Sequence, residues 1–154
     1  MTEPSATHAS FTFERRYDAS PARVFAAWST QESKATWFAG PNEWRPIERV
    51  FEFRVGGEEV LKGEFPDGKI TDFRSRYFDI VPDRRIVYAY GMHIGGVRIS
   101  VSLATVEFHP DGAGTRLVVT EQGAFLDGYD DAGSREHGTR WLLDNLAAAL
   151  RHGA

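Results

Sequence analysis

The chain has 154 residues, 42% of them hydrophobic and 26% charged, with 18 basic against 22 acidic side chains and a formal net charge of −4. That length describes one domain able to bury about two thirds of its surface, and the composition disfavours both disorder and a membrane protein. The acidic balance offers no field that would draw a phosphate backbone, so nucleic acid is not an expected partner, and the lack of cysteine removes disulfides, thiolate catalysis and thiolate-bound metals.

Residues 1–8 are small, polar and proline-containing and are expected to fray, leaving a domain over 9–152. They lack the basic start and apolar run of a secretory signal, and no stretch approaches the ~18 apolar residues of a membrane helix, so the cytoplasm is the default location. Alternation from Phe11 predicts a first strand. Ser20-Pro21 then starts a helix carrying Val24, Phe25 and Trp28, with the serine as cap and the proline in the first turn, where its missing N–H costs nothing. A second short helix is expected from Thr30 to Phe38, closed by Gly40-Pro41. From Ile47 the period becomes two, and turns at Gly56-Gly57, Pro66-Asp67-Gly68, Pro82-Asp83, Gly95-Gly96 and Pro110 to Gly114 divide six hairpin-linked strands. From about Ser134 to Leu150, positions 138, 141, 142, 145, 146, 149 and 150 mark one face of a helix that can lie across the curved antiparallel sheet.

The segments Ser20 to Trp28, Trp37-Phe-Ala-Gly-Pro41, Phe53-Arg-Val-Gly-Gly57, Ile80 to Val87 and Gly138 to Leu146 resemble, in order, conserved-type blocks of the START-like (SRPBCC) superfamily. The resemblance is greatest to the bacterial single-domain proteins named after the activator of the heat-shock-protein ATPase. It implies an α+β helix-grip fold of about seven strands, wrapped on a long C-terminal helix with two short helices after the first strand. It also implies an internal cavity for a small apolar or aromatic molecule. Some superfamily members, the polyketide cyclases and aromatases, do chemistry in that cavity, and the branch name suggests a co-chaperone-like interaction module.

The candidate ligand contacts follow from these phases. Tyr88 and Tyr90 share a strand face with Ile86 and Met92, and their hydroxyls need partners once buried. Tyr77, Val101 and Leu103 are placed on the same cavity wall, and Phe53 on the face it shares with Phe51. Glu121 is in phase with Leu117 and Val119, where a carboxylate would accept a hydrogen bond from a ligand or act as a base, unless it pairs with an arginine. Trp141 and Asn145 lie one turn apart on the helix, and Trp37, Phe38 and Trp44 border the expected cavity mouth as a gate. The isolated histidines, His93 and His137, have no metal-like spacing, no nucleophile or phosphate-loop motif is present, and no cofactor is expected. Catalysis is therefore disfavoured, and a homodimer is left open.

Overall fold

The computed structural model describes residues 3–152. Strand β1 (Ala6–Tyr17) is followed by helices α1 (Pro21–Ser29) and α2 (Gln31–Ala35). Six strands come next: β2 (Arg45–Phe51), β3 (Glu58–Glu64), β4 (Ile70–Val81), β5 (Arg85–Ile94), β6 (Val97–Asp111) and β7 (Gly114–Leu126). Helix α3 (Ala132–Arg151) ends the fold. The seven strands form one antiparallel sheet in the order β1-β7-β6-β5-β4-β3-β2, so β1 and β2, neighbours in sequence, are the two edges and the α1–α2 segment spans between them. This is the expected α+β helix-grip arrangement. No helix among the described residues is long and apolar enough to cross a membrane.

Local chemistry sets the elements. The Ser20 side chain accepts from the Arg23 N–H and Pro21 opens α1, which buries Val24, Phe25, Ala27 and Trp28. Helix α2 is shorter than predicted, because the chain after Ala35 turns so that the Trp37 indole can donate to the Ala27 carbonyl at 2.9 Å. The core lies on the concave face of the sheet. There, Phe13, Tyr77, Ile86, Val106, Phe108, Leu117 and Val119 meet α1 and the C-terminal half of α3, through Leu143, Leu146 and Leu150. Each such buried side chain contributes about 1.5–3 kcal/mol.

Other sequence expectations also need correction. The segment read as frayed is partly ordered: Ala6 to His8 continue the ladder opposite Leu126 to Ala124, and the Ser5 N–H donates to Asp127 at 2.8 Å, so backbone pairing holds what the side chains do not. Helix α3 starts earlier, at Ala132, because Asp131 accepts from the Ser134 N–H and serves as its cap. Its buried stripe is Leu143, Leu146 and Leu150, rotated from the predicted face, so that Asp144 can pair with Arg15 of β1 at 2.6 Å.

A further correction concerns β6. Val101 and Leu103 point outward, 47% and 39% exposed, while Ser100, Ser102, Ala104, Val106 and Phe108 face inward. The cause is one bulged residue. Ile94 pairs with Val97 and His93 with Arg98, but Met92 pairs with Ser100, which leaves Ile99 extra. A one-residue slip exchanges the two faces of a strand. Without the bulge, Tyr90 and Tyr88 would lie opposite Val101 and Leu103, as the alternation predicts; with it they lie opposite Ser102 and Ala104.

The two faces respond differently to mutation. Leu146→Ala should lower the unfolding free energy by about 2–5 kcal/mol, whereas Leu103→Ser should change it by about 0.5 kcal/mol or less in the same denaturant titration. Equal losses would mean that Leu103 belongs to the core.

Candidate functional site: a cavity under the first half of α3

Between the N-terminal half of α3 and the concave sheet lies a cavity of about 530 Å³. Its floor is Leu61 of β3, Phe73 of β4, Tyr88, Tyr90 and Met92 of β5, and Val119 and Glu121 of β7. Trp28, Trp37 and Phe38 form one end, and Arg135, His137, Gly138, Trp141 and Leu142 form the roof.

The cavity exists because the two halves of α3 are held differently. The C-terminal half packs on the sheet through leucines, while the N-terminal half stands on a polar cluster. Arg135 donates from Nη1 to the Tyr90 hydroxyl (2.8 Å) and approaches Glu121 Oε2 (3.4 Å); its Nη2 donates to Ser100 Oγ (2.6 Å) and Asp130 Oδ2 (3.0 Å). Tyr90 in turn donates to Glu121 Oε2 at 2.7 Å. The small inward side chains of β6, Ser100 and Ser102, leave room for the guanidinium. Burial opposes the Arg135 charge, but Tyr90, Glu121 and Asp130 outweigh it and raise the group above its ordinary value.

A second buried network closes the other end. Lys34 is 3% exposed and donates to Glu59 Oε1 at 2.5 Å, and the Tyr77 hydroxyl donates to the same oxygen at 2.6 Å. Rings of Trp28, Phe38, Phe51, Tyr77 and Tyr88 surround the ammonium, the nearest being Phe38 at 4.7 Å. Burial pulls the Lys34 ammonium below its ordinary value against the opposing pull of Glu59.

At the mouth, Asn42 and Glu43 take left-handed backbone, with φ of 53° and 61°, and turn Trp44 back onto the sheet. Its indole donates to Thr71 Oγ1 at 2.9 Å and lies so close to Gly40 and Gly63 that a Cβ on Gly63 would come within 1.9 Å of the ring. Trp44 is thus clamped between two glycines.

Of the predicted contacts, Trp37, Phe38, Tyr88, Tyr90, Glu121 and Trp141 line the cavity. Trp37 does so as a wall, 2% exposed and edge-on to Trp28, and not as a gate. Five predicted contacts fall outside it. Val101 and Leu103 are on the outer face. Tyr77 and Phe53 belong to the core beside Glu59 and Phe25: β4 carries Tyr77 past the end of the cavity, and Phe53, in the turn between β2 and β3, packs against Tyr77. Asn145 follows the rotated helix face and lies beyond the roof. Glu121 is buried in an ion pair with Arg135, which the alternation alone left undecided.

The sequence reading missed Arg135, Ser100, Ser102, Lys34 and Glu59. Arg135 carried a signal, since it lies seven residues before Leu142 and eleven before Leu146, in phase with the covering face. Lys34 and Glu59 carried none, because their meeting is a tertiary event between a five-residue helix and a distant strand. Among the described residues no group of three or more His, Asp or Glu side chains is placed to hold a metal ion.

Residues 18–151 match the family described as Activator of Hsp90 ATPase homolog 1-like protein. The chain belongs to that family. Among solved structures, the chain is similar to an uncharacterised protein of Rhizobium leguminosarum, 46% identical over 98% of this chain and 99% of its own, with a TM-score of 0.93. A protein of Rhizobium loti is 47% identical over 94% of this chain and 99% of its own, at 0.88. The AHSA1-like protein of Aeromonas hydrophila shares the fold at 17% identity, over 94% of this chain and 93% of its own, with a TM-score of 0.70. No curated protein matches.

The tyrosines provide a test of the site's dryness. Burial raises Tyr17, Tyr77, Tyr88 and Tyr90 above the ordinary 10, with Glu59 adding at Tyr77 and Tyr88 and Glu121 adding at Tyr88 and Tyr90. Above pH ~10 the unfolded chain loses these protons while the folded chain keeps them, so stability is full below that pH and falls as pH rises. Tyrosinate absorbance from these four side chains should appear together with loss of tertiary circular dichroism; ionisation of Tyr88 or Tyr90, the two that line the cavity, in a still-folded protein would mean that the cavity is wet.

Proposed function

We propose that the protein binds a small molecule with an apolar or aromatic body in the cavity under α3. The observation that carries this reading is the lining itself: an aromatic-walled space of about 530 Å³ that includes Trp28, whose buried indole N–H has no hydrogen-bond partner among the described residues. Buried polar groups are normally partnered, and cavities of about 300–1,000 Å³ with a few polar groups on apolar walls are the usual form of ligand sites. In the lining the Tyr90 hydroxyl and the Glu121 carboxylate are both engaged with Arg135, which favours binding without turnover over cyclase-type chemistry. Among the described residues only Phe78, Tyr129 and Trp141 are exposed aromatics, and Trp141 also lines the cavity, which favours an inward-facing function over a co-chaperone-like docking surface. The absence of cysteine accords with the reducing cytoplasm, which we take as its setting.

Gly138 supports the same reading. It sits inside α3 on the cavity roof, and a Cβ added there would meet nothing within 4 Å. Glycine in a helix interior costs about 0.5–1 kcal/mol relative to alanine, so a glycine with open space before it trades stability for volume. Native mass spectrometry of protein incubated with naphthol should show a one-to-one complex. Gly138→Leu should abolish that complex while leaving thermal stability equal or higher. A wild-type protein that retains no naphthol, or a Gly138→Leu variant that binds it unchanged, would contradict the reading.

A further inference from the structure

The charges at the polar end of the cavity are arranged in a way that sorts ligands. An arginine in an apolar cavity is ordinarily the anchor for a carboxylate or phosphate. Here both terminal nitrogens of Arg135 are already occupied, by Tyr90 and Glu121 on one side and by Ser100 and Asp130 on the other. Its side chain is 10% exposed, and its two carboxylate partners are 5% and 16% exposed. Two carboxylates against one guanidinium leave this cluster with an excess of negative charge.

The atoms left free point the same way. Both hydrogen bonds to the Glu121 carboxylate end on Oε2, from Tyr90 and Arg135, so Oε1 is unpartnered on a side chain that lines the cavity. Tyr88, Tyr90 and Phe73 line the cavity with it, the Phe73 and Tyr88 centroids lying 4.8 and 6.1 Å from that of Tyr90. Electron-rich rings beside an unsatisfied carboxylate oxygen attract a cation or a hydrogen-bond donor and repel an anion. The Lys34 ammonium does not reverse this, because it is enclosed by rings and neutralised by Glu59 outside the cavity lining.

Resting on the binding reading above, we propose that the cavity selects ligands whose aromatic or apolar body carries a hydrogen-bond donor, an amine before a hydroxyl, and excludes carboxylates of the same shape. Glu121 Oε1 takes the donor, and the Tyr88 hydroxyl serves the same head group from β5, across β6. Arg135 is a positioning residue that fixes the carboxylate, with both of its terminal nitrogens already engaged.

The test is a matched series on the full chain: naphthylmethylamine, naphthol, methylnaphthalene and naphthoate, titrated by calorimetry near neutral pH. Affinity should fall in that order, with the amine about tenfold or more tighter than methylnaphthalene and naphthoate weakest of the four. Glu121→Gln should remove the amine's advantage while leaving methylnaphthalene within about threefold of the wild type, and Tyr88→Phe should weaken naphthol by about two- to tenfold. Naphthoate binding as tightly as the amine would overturn the donor preference and leave the binding reading intact. An amine advantage undiminished in a folded Glu121→Gln protein would overturn the role of Glu121. If none of the four binds, the binding reading fails and this proposal fails with it.

Discussion

The guanidinium of Arg135 cannot be buried without its partners, and that requirement shapes the space beneath α3. Its hydrogen bonds run to β5, β6 and the segment before the helix, so the first half of α3 is fixed to the sheet through a polar post. Apolar side chains at the same place would let the helix settle onto the sheet, as Leu143, Leu146 and Leu150 allow in the second half. A single helix that is propped at one end and packed at the other encloses a wedge, and the wedge is the cavity. The inward serines of β6 are part of the same solution, since larger side chains there would displace the guanidinium.

The opposite end is governed by a second buried ion pair, Lys34 with Glu59. Removing two charges from water costs more than their attraction reliably returns, so such a pair is weak evidence for stability and better evidence for a fixed geometry. Its position accords with that view. Helix α2 has only five residues and buries little apolar surface; Lys34 ties it to β3 and sets Phe38 against the cavity wall. Trp44, wedged on Gly40 and Gly63, then fixes the loop that follows. Wall and mouth are thus held by specific polar contacts and close approaches, while the core proper is held by area.

The architecture was legible in the sequence wherever local chemistry decides it. The Ser20-Pro21 helix start, the turn residues between strands and the long amphipathic segment yield the element order, and Tyr88, Tyr90, Glu121 and Trp141 fall in the cavity by simple phase. What was not legible depends on register and on meetings across the fold. Val101 and Leu103 are as apolar as core residues and alternate correctly, yet one bulged residue at Ile99 turns them outward. Ser100 and Ser102 read as solvent-facing because polar character is taken as a sign of exposure, and in this strand it marks accommodation of a buried charge. Asn145 missed the cavity because the helix face is set by the leucines and by the Arg15 to Asp144 pair, neither of which weighs in a hydrophobic count.

The claim that the cavity is the ligand site, and that it lies under the first half of α3 alone, can be read directly from a nuclear magnetic resonance titration with naphthol. The account predicts that the indole N–H signals of Trp44 and Trp141 and the backbone signals of Gly138 and Glu121 move with one common affinity, while those of Leu146, Leu150, Val101 and Leu103 stay in place. Shifts centred on Val101 and Leu103, or on the second half of α3, would contradict it.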